Sequence, residues 1–337
     1  MQCAWRDAVL GTRGLAWVTK GLLGSALACV CAGVVNAQSA ADRYPDKPIK
    51  IIVPFAPGGS VDVLARVVGQ KLQDSWGQPV VVESRPGAST LIGTTAAAKA
   101  PPDGYTLIIS VSNHTTNPAM RDKMPYDTLK DFRPISLMAR TPVVVYANPQ
   151  FPANDLTALV ALAKAKPGTV TFGSAGTGSM THLTAELLKQ SAGVDMTHVV
   201  YRGGTPALTD VISGHLNMTF ATVGQALPQY RAKQVKALGI SSEKRYASVP
   251  EIPTFKEQGI DLVTTEWYGL LAPAGTPPEI VNKLNAEVRK ILSQPGLGER
   301  LTAIELVSST PDELDKFIRS EMIRWTPLVH QLGIKAD

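Results

Sequence analysis

Two glycine-rich turns constrain the fold of this chain more than any other feature. One turn, residues 56–60, follows the apolar run 51–55, and the other, residues 173–179, follows the apolar run 170–172. A helical pattern comes after each turn, and such strand, turn and helix units are typical of α/β folds. Each turn exposes free backbone N–H groups at a helix N-terminus, where the aligned peptide dipoles favour an anion. The two turns therefore predict two lobes that grip one acidic ligand.

The first 37 residues have the pattern of a secretory signal peptide. Three basic residues precede an uncharged run at 21–35, and the small residues Val35 and Ala37 occupy the −3 and −1 positions of a cleavage site. The run is too short for a comfortable bilayer span. Cys29 leaves a lipoprotein as an alternative. The sequence predicts cleavage after Ala37 and an exported protein.

The composition of the remaining chain argues against several classes of protein. Cys3, Cys29 and Cys31 all lie in the leader, so the mature chain is expected to have no disulfide, no thiolate-bound zinc and no cysteine nucleophile. The leader carries three bases and one acid, so the formal net charge falls from +5 to +3 on cleavage. With no basic cluster, nucleic acid is not an expected partner. The five histidines lack metal-ligand spacing, so a bound metal is not predicted.

Short β-branched runs alternate with helical patterns along the mature chain. This alternation predicts an α/β fold with mixed, mostly parallel sheets. The roughly 300 residues exceed the usual size of one domain, which favours two. The predicted strands are 49–55, 80–83, 107–111, 143–146, 170–172, 198–201, 216–220 and 235–240.

The domain boundaries are predicted from two places where the pattern changes. A strand-like stretch leads into a new series of strands and helices near residue 145, and another apolar strand near residue 266 precedes purely helical patterns. We therefore expect a discontinuous lobe I, 43–145 plus 266–337, and a lobe II, 146–265. Two crossings between lobes form a hinge that can close on a ligand. The alternative is two consecutive domains with a simple linker.

The first turn combines backbone freedom with a capping residue. Gly58 and Gly59 permit close approach of the backbone to a ligand, and Ser60 is predicted as the N-cap of a helix that begins at Val61. The functional interpretation is a cradle for a carboxylate. The structural alternative is a tight connection that merely needs glycine.

The second turn alternates glycines with hydroxyl side chains before a helix at 181–190. Ser174, Gly176, Thr177, Gly178 and Ser179 offer hydroxyls and bare amides that can satisfy both oxygens of a carboxylate without burying a compensating charge. The turn lacks the third glycine of a dinucleotide fingerprint and the Gly-Lys-Ser/Thr of a P-loop. A purely structural turn is the alternative.

His182 raises a catalytic alternative because it lies one turn into the following helix, close to Ser174 and Ser179. A periplasmic serine hydrolase would use one of these serines with His182 as the base. Neither serine lies in the Gly-x-Ser-x-Gly motif of a nucleophile elbow, and a packing role is commoner for such a histidine. No catalytic residue is therefore predicted.

Two further segments carry candidate ligand-binding residues. Arg202, before Gly203-Gly204, can pair with an anion, and Thr205 is predicted as the N-cap of the next helix. Ser112 and Asn113 follow a buried strand, at the strand ends where open sheets bind ligands. The alternatives are a solvated arginine and an ordinary capped loop.

Several of these motifs, in this order, resemble the solute-binding proteins of tripartite tricarboxylate transporters, also called Bug-type receptors. The resemblance spans about residue 43 to the C-terminus. The motifs are Lys-Pro-Ile at 47–49 leading into Val-Pro-Phe-Ala-Pro-Gly-Gly at 53–59, Glu-Ser-Arg-Pro-Gly-Ala at 83–88, Pro-Asp-Gly-Tyr-Thr-Leu at 102–107, Gly-Ser-Ala-Gly-Thr-Gly-Ser at 173–179 and Tyr-Arg-Gly-Gly at 201–204.

The resemblance implies a periplasmic binding protein of type II, a Venus flytrap whose lobes close on a small carboxylate. It implies no enzymatic activity and no cofactor, and the expected state is a monomer that works with a large and a small membrane subunit of a secondary transporter. A ligand sensor for a two-component system is an alternative role. The positions that correspond to the family's ligand loops are Ala56, Pro57, Gly58, Gly59, Ser60 and 174–179, with Asp62 and His182 behind them.

Overall fold

The computed structural model describes residues 40–301 and 303–336, so the predicted signal peptide at 1–37 lies outside the described residues. Strands and helices alternate along most of the described chain. The strands are β1 Ile49–Val53, β2 Val80–Ser84, β3 Thr106–Ser110, β4 Phe132–Ala147, β5 Thr171–Ser174, β6 Thr197–Val200, β7 Met218–Thr222, β8 Lys236–Ile240, β9 Thr265–Pro273 and β10 Glu305–Leu306. The helices are α1 Ala40–Arg43, α2 Ser60–Trp76, α3 Leu91–Ala98, α4 Asn113–Met120, α5 Leu156–Ala165, α6 Met180–Ala192, α7 Gly204–Ile212, α8 Val223–Arg231, α9 Pro278–Leu292, α10 Leu297–Arg300 and α11 Pro311–Gln331.

The long strand β4 joins two sheets. Its residues from Phe132 to Pro142 pair with β9, in a first sheet that also contains β1, β2, β3 and β10. From Val143 to Ala147 the strand lies between β7 and β8, in a second sheet that also contains β5 and β6. The chain therefore passes between the sheets at 142–143, and it enters β9 of the first sheet at Thr265.

Both sheets are mixed, and in each most strands run in one direction. In the first sheet β1, β2 and β3 are parallel, and β9 is antiparallel to β3 and β4. In the second sheet β5, β6 and β7 are parallel, whereas β4 is antiparallel to β7 and β8. Helical crossovers such as α2 and α6 account for the parallel strands, because a parallel pair needs a long connection. The predicted α/β fold with mixed, mostly parallel sheets is confirmed.

Separate apolar cores hold the two sheets. Leu64 of α2 and Leu284 of α9 are fully buried against the first sheet. Phe172 of β5 and Leu183 of α6 are fully buried in the core of the second sheet. A fully buried leucine or phenylalanine contributes about 1.5–3 kcal/mol relative to an exposed one. Each sheet therefore has its own source of stability and can keep its shape when the cleft between the sheets changes width.

The C-terminal helix α11 packs against both cores. A capping box at Thr310 starts the helix. Leu314 packs with Trp267 in the first sheet, and Trp325 packs in the cluster that contains Phe172 of the second sheet. Part of the predicted lobe I range therefore contacts the second core, and the division into lobes stays a prediction. Neither α11 nor any other described helix is long and apolar enough to cross a membrane.

Three local predictions are wrong. Helix α2 begins at Ser60 with Gly59 as the N-cap, because the Ser60 hydroxyl bonds to Thr222 of the other sheet instead of capping its own helix. Helix α7 begins at Gly204, so Thr205 lies inside it. The C-terminal region is not purely helical, since β10 pairs with β4. For Ser60 and for β10, a contact distant in sequence decides the local structure.

Candidate functional site

The first glycine turn lies against the second sheet. The Ser60 hydroxyl is 2.8 Å from the Thr222 hydroxyl, which ends β7. Gly203 is so close to the turn that a Cβ on it would lie 3.5 Å from the Cβ of Ala56. Strand ends from both sheets therefore meet here, as is common at ligand sites of open α/β sheets.

A small cavity, the inner cavity, lies between the sheets at this meeting point. Its volume is about 40 Å³. The lining combines backbone N–H groups of two helix starts with hydroxyl, amide and carboxyl side chains. Its lining residues include Ala56, Gly59 and Ser60 from the first turn, Ala175, Thr181, Gly203, Gly204, Thr205, Thr222 and Gln225 from the second-sheet side, and Glu266 and Tyr268 from β9.

A larger cavity of about 270 Å³, the outer cavity, shares Phe55 and Ala175 with the inner one. Gly176, Thr177 and Arg202 line it from the second-sheet side, and Pro54 and Arg121 line it from the other side. Arg202 is exposed, and Arg121 donates a hydrogen bond to Asn117 at 2.7 Å. Two guanidinium groups at one cavity favour an acidic occupant.

The segment 87–90 forms one wall of the outer cavity and has an unusual backbone. Gly87, Ala88, Ser89 and Thr90 have φ values of 122°, 46°, 51° and 78°. Non-glycine residues rarely adopt this region, and each costs about 1 kcal/mol or more. The Asn117 amide donates to the carbonyl of Ser89 at 2.9 Å and so helps to hold the segment. Backbone strain is common at functional sites, so the strained segment 87–90 at the edge of the outer cavity favours a role in ligand binding.

Polar side chains of the second turn mostly hold the turn itself. The Ser179 hydroxyl donates to the carbonyl of Gly176 at 2.7 Å and accepts from the N–H of His182, which makes it the N-cap of α6. The Gly178 N–H donates to Nδ1 of His182 at 3.1 Å. These bonds fix the turn and leave Gly176 and Thr177 to line the outer cavity.

Of the two candidate serines of the second turn, Ser174 contacts a histidine ring, and this ring belongs to His198 rather than to His182. The Ser174 hydroxyl lies 2.7 Å from Nε2 of His198, whose ring stacks on that of His182 with centroids 4.0 Å apart. Burial, followed by the neighbouring His182, lowers the pKa of His198 to about 3. His198 is therefore a neutral ring behind the turn, and no role was predicted for it from the sequence.

Helix α4 supports the second turn from the first sheet. Ser112 accepts a hydrogen bond from the N–H of Met180 at 3.2 Å, and Asn113 donates to the carbonyl of Thr177 at 3.3 Å. Thr116 donates to the carbonyl of Gly178 at 2.8 Å. The polar run after β3 is thus a buried helix that contacts α6 and the turn before it. Several of its hydroxyl and amide N–H groups bond within the protein, whereas the buried Oδ1 of Asn113 has no hydrogen-bond partner among the described residues.

The predicted site residues therefore divide into two groups. Six of them line a cavity: Ala56, Gly59 and Ser60 the inner one, and Gly176, Thr177 and Arg202 the outer one. Asp62, for example, lines neither, because its carboxylate accepts from the Gly58 N–H at 3.1 Å and pairs with Arg66 at 3.0 Å. The others that line neither cavity are Pro57, Gly58, Ser112, Asn113, Ser174, Gly178, Ser179 and His182.

Sequence reasoning missed five polar side chains of the inner cavity: Glu266, Gln225, Thr181, Thr222 and Tyr268. Glu266 is only 5% exposed, and this burial raises its pKa to about 7 although three donors bond to its carboxylate. The one sequence signal that could have identified Glu266 is its position as a single acidic residue at the start of the apolar strand β9. Gln225, with its amide oxygen turned towards α7, accepts from the N–H groups of Gly204 at 3.3 Å and Thr205 at 2.8 Å.

Comparison with known proteins places the chain in a family. Residues 64–334 match the family model described as tripartite tricarboxylate transporter family receptor. The chain belongs to this receptor family. Protein BugT of Bordetella pertussis is 38% identical over 306 residues, which cover 89% of this chain and 94% of BugT. The receptor family is one of non-enzymatic solute-binding proteins, and the resemblance predicted from the motifs is confirmed.

Two solved structures are similar to this receptor over nearly their whole length. The periplasmic binding protein BugD has a TM-score of 0.83 and 29% identity, over 87% of this chain and 100% of BugD. MatC from Rhodopseudomonas palustris, with bound malate, has a TM-score of 0.80 and 33% identity, over 85% of this chain and 100% of MatC. The predicted two-lobe periplasmic-binding-protein fold is confirmed.

In this receptor, Gly178 is expected to be required for stability. Its φ is 72°, and a Cβ there would lie 2.1 Å from Cε of Met120. The left-handed conformation and the displaced methionine should together make Gly178→Ala lower the free energy of unfolding by about 2–4 kcal/mol in urea titrations. Gly193→Ala is the matched control, because Gly193 has a φ of 62° with nothing within 4 Å of a Cβ. We expect it to cost about 1 kcal/mol. Equal losses for the two variants would contradict the packing argument.

Proposed function

We propose that this protein is a periplasmic receptor that closes two lobes on a small carboxylate and delivers it to a tripartite tricarboxylate transporter. The proposed lobes are 43–145 plus 266–337 and 146–265, and the proposed leader is cleaved after Ala37. The observation that carries the proposal is the inner cavity, where the first glycine turn, the start of α7 and several hydroxyls converge from both sheets. A site assembled from both sheets gains its full set of donors only when the cleft is closed.

The chemistry of the inner cavity fits a carboxylate. Gly59 and Ser60 lie at the start of α2, so backbone N–H groups of this helix are close to the cavity, whereas the N–H groups of Gly204 and Thr205 at the start of α7 already donate to Gln225. Helix N-termini favour anions, and N–H donors to a carboxylate form the stronger, charge-assisted class of hydrogen bond. Since MatC, a 33% identical relative, holds malate, a hydroxylated dicarboxylate is our first candidate for this chain.

The outer cavity supports a ligand with a second acid group. Its volume of about 270 Å³ leaves room beyond the inner cavity, and both cavities share Phe55 and Ala175. Arg202 and Arg121 line the outer cavity on opposite sides. A molecule whose first carboxylate lies in the inner cavity would place a second acid group beside these guanidinium groups. We therefore propose a di- or tricarboxylate, or another organic acid of similar reach.

A thermal-unfolding screen tests this function. The mature protein is tested with succinate, malate, citrate, glutamate, benzoate and acetate, each at 1 mM, a concentration chosen at about 1,000 times a micromolar Kd. Binding to the folded state alone then stabilises it by about 4 kcal/mol. We expect a di- or tricarboxylate to raise Tm by several degrees and acetate to have no effect. A panel without any shift contradicts the proposed function.

The hydrolase alternative finds little support in the site. Ser179 is used as the N-cap of α6, and its hydroxyl donates to the carbonyl of Gly176. Ser174 is fully buried and bonds to His198 rather than to His182. Neither arrangement presents a free serine oxygen to the cleft next to the predicted base. The receptor role fits these contacts better, because every one of them holds the turn in shape.

Delivery to a transporter is distinguished from a sensing role by uptake. Vesicles that contain the large and small membrane subunits are expected to accumulate the labelled carboxylate only when this protein is added. The proposed active form of the receptor is a monomer. Binding without receptor-dependent uptake would favour the sensor of a two-component system.

A further inference from the structure

Glu266 is an acid buried at the floor of the cleft, where both sheets meet. It occupies the second position of β9, immediately after the chain returns to the first sheet. Its Oε1 accepts from the N–H groups of Ser112 at 2.9 Å and Trp267 at 3.1 Å, and its Oε2 accepts from the Ser112 hydroxyl at 3.0 Å. It also lines the inner cavity. The carboxyl group is therefore held firmly beside the proposed ligand position.

A chain of hydrogen bonds connects this carboxyl group to the second sheet. The N–H of Met180, the first residue of α6, donates to the Ser112 hydroxyl at 3.2 Å, and that hydroxyl donates to Glu266. Helix α6 directly follows the second glycine turn. The charge on Glu266 is thus linked to the element that carries one side of the ligand site, as well as to the strand at the crossing between sheets.

A ligand carboxylate in the inner cavity is repelled electrostatically by an ionised Glu266. Among the described residues that line this cavity there is no Lys, Arg or His. Two carboxylates that share a small, enclosed site do not both stay ionised, because like charges in a poorly solvated space raise the pKa of one of them. Such a pair retains one proton between its two members.

We infer that this receptor takes up one proton together with its carboxylate ligand, and that Glu266 holds the proton in the closed complex. This inference rests on the proposed function. The protonated acid carries no charge, so the cavity contains a single negative charge when the ligand is bound. The assignment makes Glu266 a positioning residue whose protonation state sets the affinity.

Burial of Glu266 favours the neutral acid and raises its pKa to about 7. The hydrogen bonds from Ser112 and Trp267 act in the opposite direction, and the charge of Glu321 on α11 adds a smaller increase. Tyr268, on the same strand, also has a pKa raised by burial. Among the elements packed around Glu266, α4 carries His114, which is buried and has a pKa lowered to about 4, so it is neutral. Helix α6 carries His182, which lies 3.6 Å from Glu186, and Lys189, which pairs with Glu186 at 3.0 Å. The experiment must separate these groups from Glu266.

The raised pKa of Glu266 determines whether the association constant of the ligand rises or falls with pH. Below pH 7 the unliganded Glu266 is mostly protonated, so binding takes up little proton. Above pH 7 it is ionised, and each binding event must bring a proton from solution. The association constant is then expected to fall about tenfold per pH unit between pH 7.5 and 8.5. An uncoupled site would keep its affinity across this range.

Calorimetry with malate and succinate as probes measures the proton directly. Titrations at pH 8 in HEPES and in Tris, which differ in ionisation enthalpy, should report an uptake of about one proton per bound ligand for the wild-type protein. Glu266→Gln mimics the protonated acid, so it should bind with no uptake and with an affinity independent of pH from 6 to 8.5. Glu321→Gln is the matched control, because it removes a buried neighbouring charge yet leaves Glu266 in place. It should retain the uptake.

The outcomes separate the two claims. Wild-type binding at pH 8 with equal heats in both buffers overturns the inference and leaves the proposed function intact. Uptake that persists in Glu266→Gln also overturns it and assigns the proton to another group, such as His182. If neither probe nor any acid of the screening panel binds at any pH, the proposed function fails and the inference falls with it. The wild-type titration gives an answer even if the glutamine variant does not fold.

Discussion

Replacing Gly59 by phenylalanine is expected to weaken carboxylate binding by at least about 100-fold, which corresponds to about 2.7 kcal/mol. Gly59 lines the inner cavity, and a Cβ on it would lie 4.0 Å from the side-chain amide of Gln225, which lines the same cavity. A benzyl group needs more space than the cavity volume of about 40 Å³ provides. Since Gly59 has an ordinary φ of −83°, the backbone tolerates a side chain, and isothermal titration of malate or the best ligand of the panel measures the loss.

Gly59→Ala is the matched control for this experiment. Its methyl group makes only an ordinary contact, so we expect an affinity within a few-fold of wild type. Gly59→Ala should keep a Tm close to that of the wild-type protein, because nothing lies closer than 4.0 Å to its Cβ. The benzyl group of Gly59→Phe must fit among buried neighbours, so its binding is measured at a temperature where circular dichroism shows that the variant is folded. Normal binding by Gly59→Phe would show that the ligand lies elsewhere, with the outer cavity as the next candidate.

The alternation of strands and helices was predictable because it depends on local pattern. A buried parallel strand such as β1 is apolar on both faces, and the next helix places an apolar residue every third or fourth position. Gly58 has a φ of 87°, so a residue without a side chain was needed at that position for reasons that lie within the turn itself. Features that depend only on neighbouring residues can be predicted from a single sequence.

Contacts between residues distant in sequence were not predictable in this way. Ser60 meets Thr222, and Glu266 meets Ser112, over separations of 162 and 154 residues. No spacing rule connects such pairs. The first shows that Ser60 is not a cap, and the second shows that the polar run at Ser112 begins a buried segment. Gln225, which caps α7 from α8, escaped notice for the same reason.

Helix α11 shows a further limit of local pattern. Its amphipathic spacing predicts a helix with one buried side, and that is what forms. The pattern does not reveal that this side is divided between two cores, with Leu314 on the first sheet and Trp325 on the second. A helix that contacts both cores couples their unfolding, and it also gives the C-terminal segment a larger role in stability than its position in the chain implies.

Trp325→Ala is accordingly expected to lower the free energy of unfolding by about 3–5 kcal/mol. Trp325 is 1% exposed in the core of the second sheet, and its indole N–H donates to Glu321 at 2.9 Å, so the substitution leaves a cavity and a buried carboxylate with one donor fewer. Urea unfolding followed by circular dichroism measures the loss. Ile323→Ala, on the same helix but 77% exposed, should change stability by no more than about 0.5 kcal/mol. A loss below about 1 kcal/mol for Trp325→Ala would mean that the end of α11 unfolds separately from the sheet it covers.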